Sequence, residues 1–143
     1  MLTNACYVQT PMYKRGTVAG WGATETRPSS DVLMELDLDI IPEETCEREF
    51  KKVVHNFNLT STKICARAEL HRDGCRGDSG GPLMHVTEAA TYDVIGITSF
   101  GNKNCDSSSP GVYTRVSSYL DWIGNAVEDT LLQSNPELNS IGS

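Results

Sequence analysis

An all-β fold, a sandwich or barrel of six strands closed by one helix, is what this 143-residue sequence predicts. Three observations point there. Short runs rich in β-branched and apolar residues alternate with Gly, Pro and Asn turn signals. One of these runs alternates apolar and acidic residues with period two. Only the end of the chain changes to helical spacing.

The first strand is Thr17-Val18-Ala19-Gly20-Trp21, stopped by Gly22. The second, Val32 to Ile41, sets Leu36, Leu38 and Ile40 against Glu35, Asp37 and Asp39, the pattern of a half-buried strand. Pro42 ends it and opens a short helix, Pro42 to Arg48, with acids near its N-terminus. Ile64–Ala66, Pro82–Val86, Tyr92–Phe100 and Gly111–Val116 supply the other four strands. From Ser117 onward Tyr119, Leu120, Ile123, Val127 and Leu131 recur at helical spacing, and Ser117 or Ser118 is placed to cap that helix. The tail after Leu132 is polar and is expected to be disordered. The chain shows no repeat, no linker and no second domain.

Composition excludes several functions. Twelve basic residues against 19 acidic ones leave a formal charge of −7, opposed to a nucleic-acid partner or an anionic membrane surface. No apolar run approaches the ~20 residues that span a bilayer. The five cysteines, Cys6, Cys46, Cys65, Cys75 and Cys105, form no C-x-x-C pair. With His55, His71 and His85 they fit no zinc spacing, so disulfides and an oxidising compartment are the better reading. An odd count leaves one cysteine without an internal partner. Yet the start, MLTNACYVQTPMYKR, carries no apolar h-region and no cleavage signal. The conflict is expected to resolve as a missing N-terminus.

Chemistry concentrates in Gly77-Asp78-Ser79-Gly80-Gly81-Pro82. Flanking glycines let a tight turn project the serine hydroxyl and let the backbone approach a substrate. N–H groups around such a turn can hold a developing oxyanion. Taken alone, the stretch is also compatible with a plain Gly/Ser/Asp turn, and Arg76-Gly77-Asp78 with an integrin-binding tripeptide, which its place in this loop makes a coincidence.

With this motif the chain resembles the chymotrypsin/trypsin family of serine proteases. The resemblance runs from about Thr17 to Val127 and includes Gly20-Trp21-Gly22, Ile64-Cys65-Ala66, Val94 to Gly101 and Pro110 to Val116. It implies the second six-stranded antiparallel β-barrel of that double-barrel fold, with a C-terminal helix. Residues 1–16 would be a connector from the first barrel, 17–132 the barrel and helix, and 133–143 a tail. The stretch Val116 to Ile123 is most similar to arthropod clip-domain proteases of the snake-like kind.

The resemblance also implies roles. Ser79 matches the nucleophile, and the N–H groups of Gly77 and Ser79 match the oxyanion hole of this family's own triad template. Asp78 matches the aspartate that pairs with the new N-terminus on zymogen activation. Asp73 matches the carboxylate at the base of the primary pocket, where a substrate Arg or Lys supplies the cation that a buried acid needs. His71-Arg72-Asp73 otherwise reads as a solvated polar loop. Gly101 and Gly111 match the pocket walls, and Ser99 and Phe100 the edge that pairs with substrate backbone. Pro110 stands where sodium-activated relatives carry tyrosine, so no sodium site is expected; no other metal and no cofactor is expected either. Cys46–Cys65 and Cys75–Cys105 match two family disulfides. A further family bridge would need cysteines at Gly16 and His85. Cys6 matches the tether to a pro-region, its alternative being a buried free thiol. Asn58-Leu59-Thr60 is an N-glycosylation sequon.

The implied function is a secreted endopeptidase acting on proteins after Arg or Lys. The triad's base and acid belong to the first barrel, and no Ala-Ala-His-Cys-like segment or Ile-Val-Gly-Gly-like start stands in this sequence. His85, six residues past Ser79 on a strand, lies up to ~20 Å away at about 3.3 Å per residue, and His71 precedes the pocket. Neither is expected to substitute. Residues 1–143 alone are therefore expected to be inactive, with an apolar uncovered barrel face prone to association. The alternative is an inactive fragment or non-enzymatic binding module.

Overall fold

The computed structural model describes residues 13–24, 26–52, 54–68, 76–101 and 109–134. Six strands, β1 (Arg15–Gly20), β2 (Met34–Ile41), β3 (Lys63–Arg67), β4 (Pro82–Val86), β5 (Tyr92–Phe100) and β6 (Gly111–Arg115), close an antiparallel barrel in the order β1-β2-β3-β6-β5-β4. Helix α1 (Glu43–Phe50) joins β2 to β3, and a 3₁₀ turn, Val116–Tyr119, leads into α2 (Leu120–Ser134). The barrel alternative to a sandwich is thus the one realised. Pairing of β1 with both β2 and β4 closes the sheet, so that among the described residues each strand has a neighbour on both sides.

The period-two pattern of β2 becomes its two faces. Leu38 is fully buried, Leu36 and Ile40 pack beside it, and Asp37 and Glu35 face solvent. The outward acids find partners on β1 through the register Arg15↔Asp39 and Thr17↔Asp37. Thr17 Oγ1 donates to Asp37 Oδ1 at 2.7 Å, and Arg15 Nε lies 3.4 Å from Asp39 Oδ1. The barrel interior is filled by Val18, Leu38, Ile64, Leu83, Ile95 and Tyr113. A second cluster under α1 joins Cys46, Phe50, Cys65 and Val112, with Cys46 and Cys65 bonded across a Cα–Cα distance of 6.2 Å. Closing that loop is worth roughly 3 kcal/mol in the chain-entropy account.

Arg115 ties the second cluster to the rest of the barrel. Its guanidinium donates to Glu43 Oε1 at 2.6 Å, to Lys63 O at 2.8 Å and to Ser61 O at 3.0 Å. It thereby satisfies carbonyls of the turn that precedes β3.

Several boundaries differ from the sequence reading. β1 starts two residues earlier, β2 starts at Met34 rather than Val32, and α1 runs on to Phe50. The serine cap expected for the last helix is absent. Ser118 Oγ instead donates to Ser61 O at 3.4 Å, and a 3₁₀ turn headed by Arg115 starts the helical segment without a side-chain cap. β6 ends at Arg115, and α2 continues past Leu132 to Ser134; residues 135–143 lie outside the described residues.

Residues 120–130 of α2 are all exposed, Trp122 at 69% and Leu120 at 55%. The helical periodicity is therefore real, but among the described residues its apolar stripe, Leu120, Ile123 and Val127, stays exposed. Tyr92 and Val94 on β5 are exposed as well. Among the described residues no helix is long and apolar enough to cross a membrane.

Candidate active site

Residues 76–81 form the turn that enters β4. Gly77 and Gly80 take φ of +102° and +83°, values that side chains of L-residues resist. Two braces hold the turn. On one side it joins β5: Gly80 N–H donates to Thr98 O at 3.0 Å, and Thr98 N–H donates to Gly81 O at 2.9 Å. On the other it joins the segment after β1: Ala23 N–H donates to Arg76 O at 2.8 Å, and Gly22 N–H donates to Asp78 Oδ1 at 2.8 Å. Ser79 rides between these braces and is exposed. A hydroxyl so placed can meet a ligand while its backbone stays fixed.

The half-buried Asp78 carboxylate sits in a niche walled by glycine. A Cβ added at Gly20 would lie 2.0 Å from Asp78 Oδ1, and one at Gly22 would lie 2.5 Å from its carboxylate. A Cβ on Gly77 would also press on Gly22 Cα at 3.1 Å. In the sequence alone, Gly20-Trp21-Gly22 carries the family resemblance and no role of its own. The Gly-x-Gly spacing at the end of β1 was the available signal: two nearby positions without side chains leave room for a carboxylate.

The strand end beside Ser79 carries the other matched positions. A bulge between Thr98 and Phe100 interrupts pairing with β6, so Thr98 faces Tyr113 and Phe100 faces Val112. Bulges re-aim the side chains that follow them. Phe100 meets Phe50 and Phe57 edge-on, at ring separations of 5.9 and 6.3 Å, while those two rings stack at 4.7 Å. Phe50 and Phe57 had no assigned role from sequence. A Cβ on Gly101 would stand 3.6 Å from Gly111 Cα, so these two glycines are neighbours. Pro110 beside them is fully buried.

The remaining residues singled out from the sequence divide. His85 is occupied elsewhere: its Nδ1 lies 3.0 Å from Arg15 O and its ring 4.8 Å from that of Tyr13. Asn58 is exposed on the loop before β3. Asp73, His71, Cys75, Cys105 and Cys6 lie outside the described residues, and with them the base of the pocket and the pairings Cys75–Cys105 and Cys6 to an outside partner. Among the described residues no group of His, Cys, Asp and Glu could hold a metal ion.

Residues 3–123 match the family profile described as Trypsin. The chain is 43% identical over 113 residues to CLIP domain-containing serine protease HP8 of Bombyx mori, covering 78% of this chain and 30% of that protein. It is 42% identical over 106 residues to Serine protease 7 of Drosophila melanogaster, covering 74% and 27%. It is 43% identical over 108 residues to the proclotting enzyme of Tachypleus tridentatus, covering 74% and 28%. The chain thus spans under a third of the length of these curated relatives.

Proposed function

This chain belongs to the trypsin family of serine proteases, and from that premise we propose that it is the nucleophile-bearing barrel of a secreted endopeptidase that cleaves proteins after Arg or Lys. The observation that carries the proposal is Ser79, exposed on a glycine-flanked turn that is braced on two sides by backbone hydrogen bonds. A fixed backbone with an exposed hydroxyl is what nucleophilic attack on a carbonyl carbon needs.

In the proposed reaction Ser79 Oγ attacks the scissile carbonyl and its proton passes to a base. That base, and the acid that orients it, come from polypeptide outside residues 1–143, as in the triad template. The N–H groups of Gly77 and Ser79 receive the oxyanion. Asp78, held in its niche, pairs with a freed N-terminus when the zymogen is cut. Asp73 receives the substrate cation, Gly101 and Gly111 leave room for its stem, and Ser99 and Phe100 align the substrate backbone. A carboxylate at the pocket base selects Arg and Lys because any other occupant leaves it desolvated and unpaired.

The exposed apolar residues of α2 and β5 support a further barrel as partner, since such a patch is costly to leave in water. Cys6 would tether a pro-region of the CLIP type that several relatives carry by name. A peptide-library profile of the complete protein tests the proposal. Cleavage after Arg and Lys is expected, and cleavage after aromatic residues would sink it.

A further inference from the structure

The sequon Asn58-Leu59-Thr60 sits in a setting that the peptidase reading does not use. Residues 57–60 run without regular structure between α1 and β3, and their burial alternates. Phe57 and Leu59 are half-buried and pack against the cluster of Cys46, Phe50, Cys65 and Val112. Asn58 and Thr60 are exposed. The two apolar side chains therefore pin the segment while the asparagine amide and the threonine hydroxyl two residues on face solvent together. Thr60 Oγ1 is 2.8 Å from Thr62 Oγ1, a contact that solvent-side handling can replace. Leu59 is not proline, so the sequon is competent.

Phe57 is also part of the aromatic pad at the proposed substrate edge. It stacks on Phe50 at 4.7 Å and meets Phe100, which is 44% exposed, edge-on at 6.3 Å. The Cα of Asn58 is about 3.8 Å from that of Phe57 across one peptide unit. A group attached at Asn58 would start at the rim of this pad.

We propose that Asn58 carries an N-linked glycan that borders the Phe57–Phe100 edge and screens it against large protein substrates more than against small ones. The donor is a polyprenyl-diphosphate-linked oligosaccharide. Asn58 Nδ2 forms a bond to the anomeric carbon, the bond from that carbon to the diphosphate oxygen breaks, the polyprenyl diphosphate leaves with the electron pair, and the amide nitrogen loses one proton. The inference rests on the secreted-peptidase reading, because the donor is met only in the secretory pathway.

The test uses the complete protein secreted from a eukaryotic host. Peptide mapping should find glycan mass on the peptide containing Asn58, lost after amidase treatment with conversion of Asn58 to aspartate. Thr60→Ala, which keeps the asparagine, should lose the same mass. Deglycosylation of the folded protein should raise kcat/KM on a folded protein substrate and leave that on a short arginine amide unchanged. Secreted, disulfide-bonded protein with unmodified Asn58 would overturn the site. A glycan whose removal leaves the ratio of the two rates unchanged would overturn the screening. Wild-type protein that turns over neither substrate after the zymogen has been cut overturns the peptidase reading and the screening with it, while the glycopeptide map still decides occupancy.

Discussion

The backbone N–H of Gly22 donates to Asp78 Oδ1 over 2.8 Å, joining residues 56 positions apart. The bond fixes the carboxylate immediately before Ser79 to the turn after β1. It is possible only because neither Gly20 nor Gly22 has a side chain, since a Cβ at either would overlap the carboxylate.

Gly22→Ala is expected to displace Asp78 and with it the backbone of Ser79. A shift near 1 Å at a reacting group costs about 10²-fold in rate. In the complete enzyme kcat should fall by that order while KM for a short arginine amide changes little. Gly124→Ala, at a helical site with nothing within 4 Å of the added Cβ, is the control. Equal activity in both variants would remove Gly22 from the positioning machinery.

Replacing Asp73 with serine should abolish the preference for Arg and Lys. A hydrogen bond to a charged group contributes about 1.5–3 kcal/mol, so the ratio of basic to apolar cleavage should drop roughly ten- to hundredfold. An unchanged ratio would show that another group reads the substrate cation.

Residues 1–143 expressed alone in an oxidising host are expected to show no turnover of an arginine amide. Ser79 then has no base, and a neutral hydroxyl is a weak nucleophile. Loss of the triad in a complete serine protease leaves a residual enhancement of ~10³, and the isolated barrel should fall below it. Its exposed Trp122 and Leu120 should also make it associate as concentration rises. Turnover that disappears in a Ser79→Ala control would contradict this prediction.

Cysteine pairing is open to mass mapping without reduction. Cys46–Cys65 and Cys75–Cys105 should appear as internal pairs and Cys6 as a link outside the chain. Replacing Cys46 and Cys65 together by alanine should lower stability by roughly 3 kcal/mol, read as a fall in the urea midpoint with a steeper slope, because the uncrosslinked unfolded chain exposes more surface. A bond from Cys6 to any of the other four would overturn the assignment.

Leu83 is fully buried in the barrel interior, so Leu83→Ala should cost about 2–5 kcal/mol through lost transfer energy and the cavity left behind. Val86→Ala, at the exposed end of the same strand, should stay within about 0.5 kcal/mol. Similar costs at the two sites would mean that the barrel interior is not packed around Leu83.

Much of the architecture was legible in the chain because it depends on neighbours in sequence. Alternation from Glu35 to Ile41 reports the two faces of β2, and Pro42 marks the start of α1. Spacing from Tyr119 to Val127 reports a helix, and Gly77 to Pro82 a turn that needs positive φ. What only the tertiary structure decided involves segments far apart in sequence. Ser118 looks like a helix cap locally, yet its hydroxyl goes to Ser61 O because β6 delivers it there. Phe100 reads as the last residue of a strand at the substrate edge, and only the bulge before it turns it against Phe50 and Phe57. Gly20 and Gly22 look like turn punctuation, and become the walls of the Asp78 niche only when β4 pairs with β1. The exposure of α2 was likewise unreadable, because helical spacing states that an apolar stripe exists and not what lies opposite it. Periodicity and turn chemistry act over a few residues. Register, bulges and close approach are set by how the whole barrel closes.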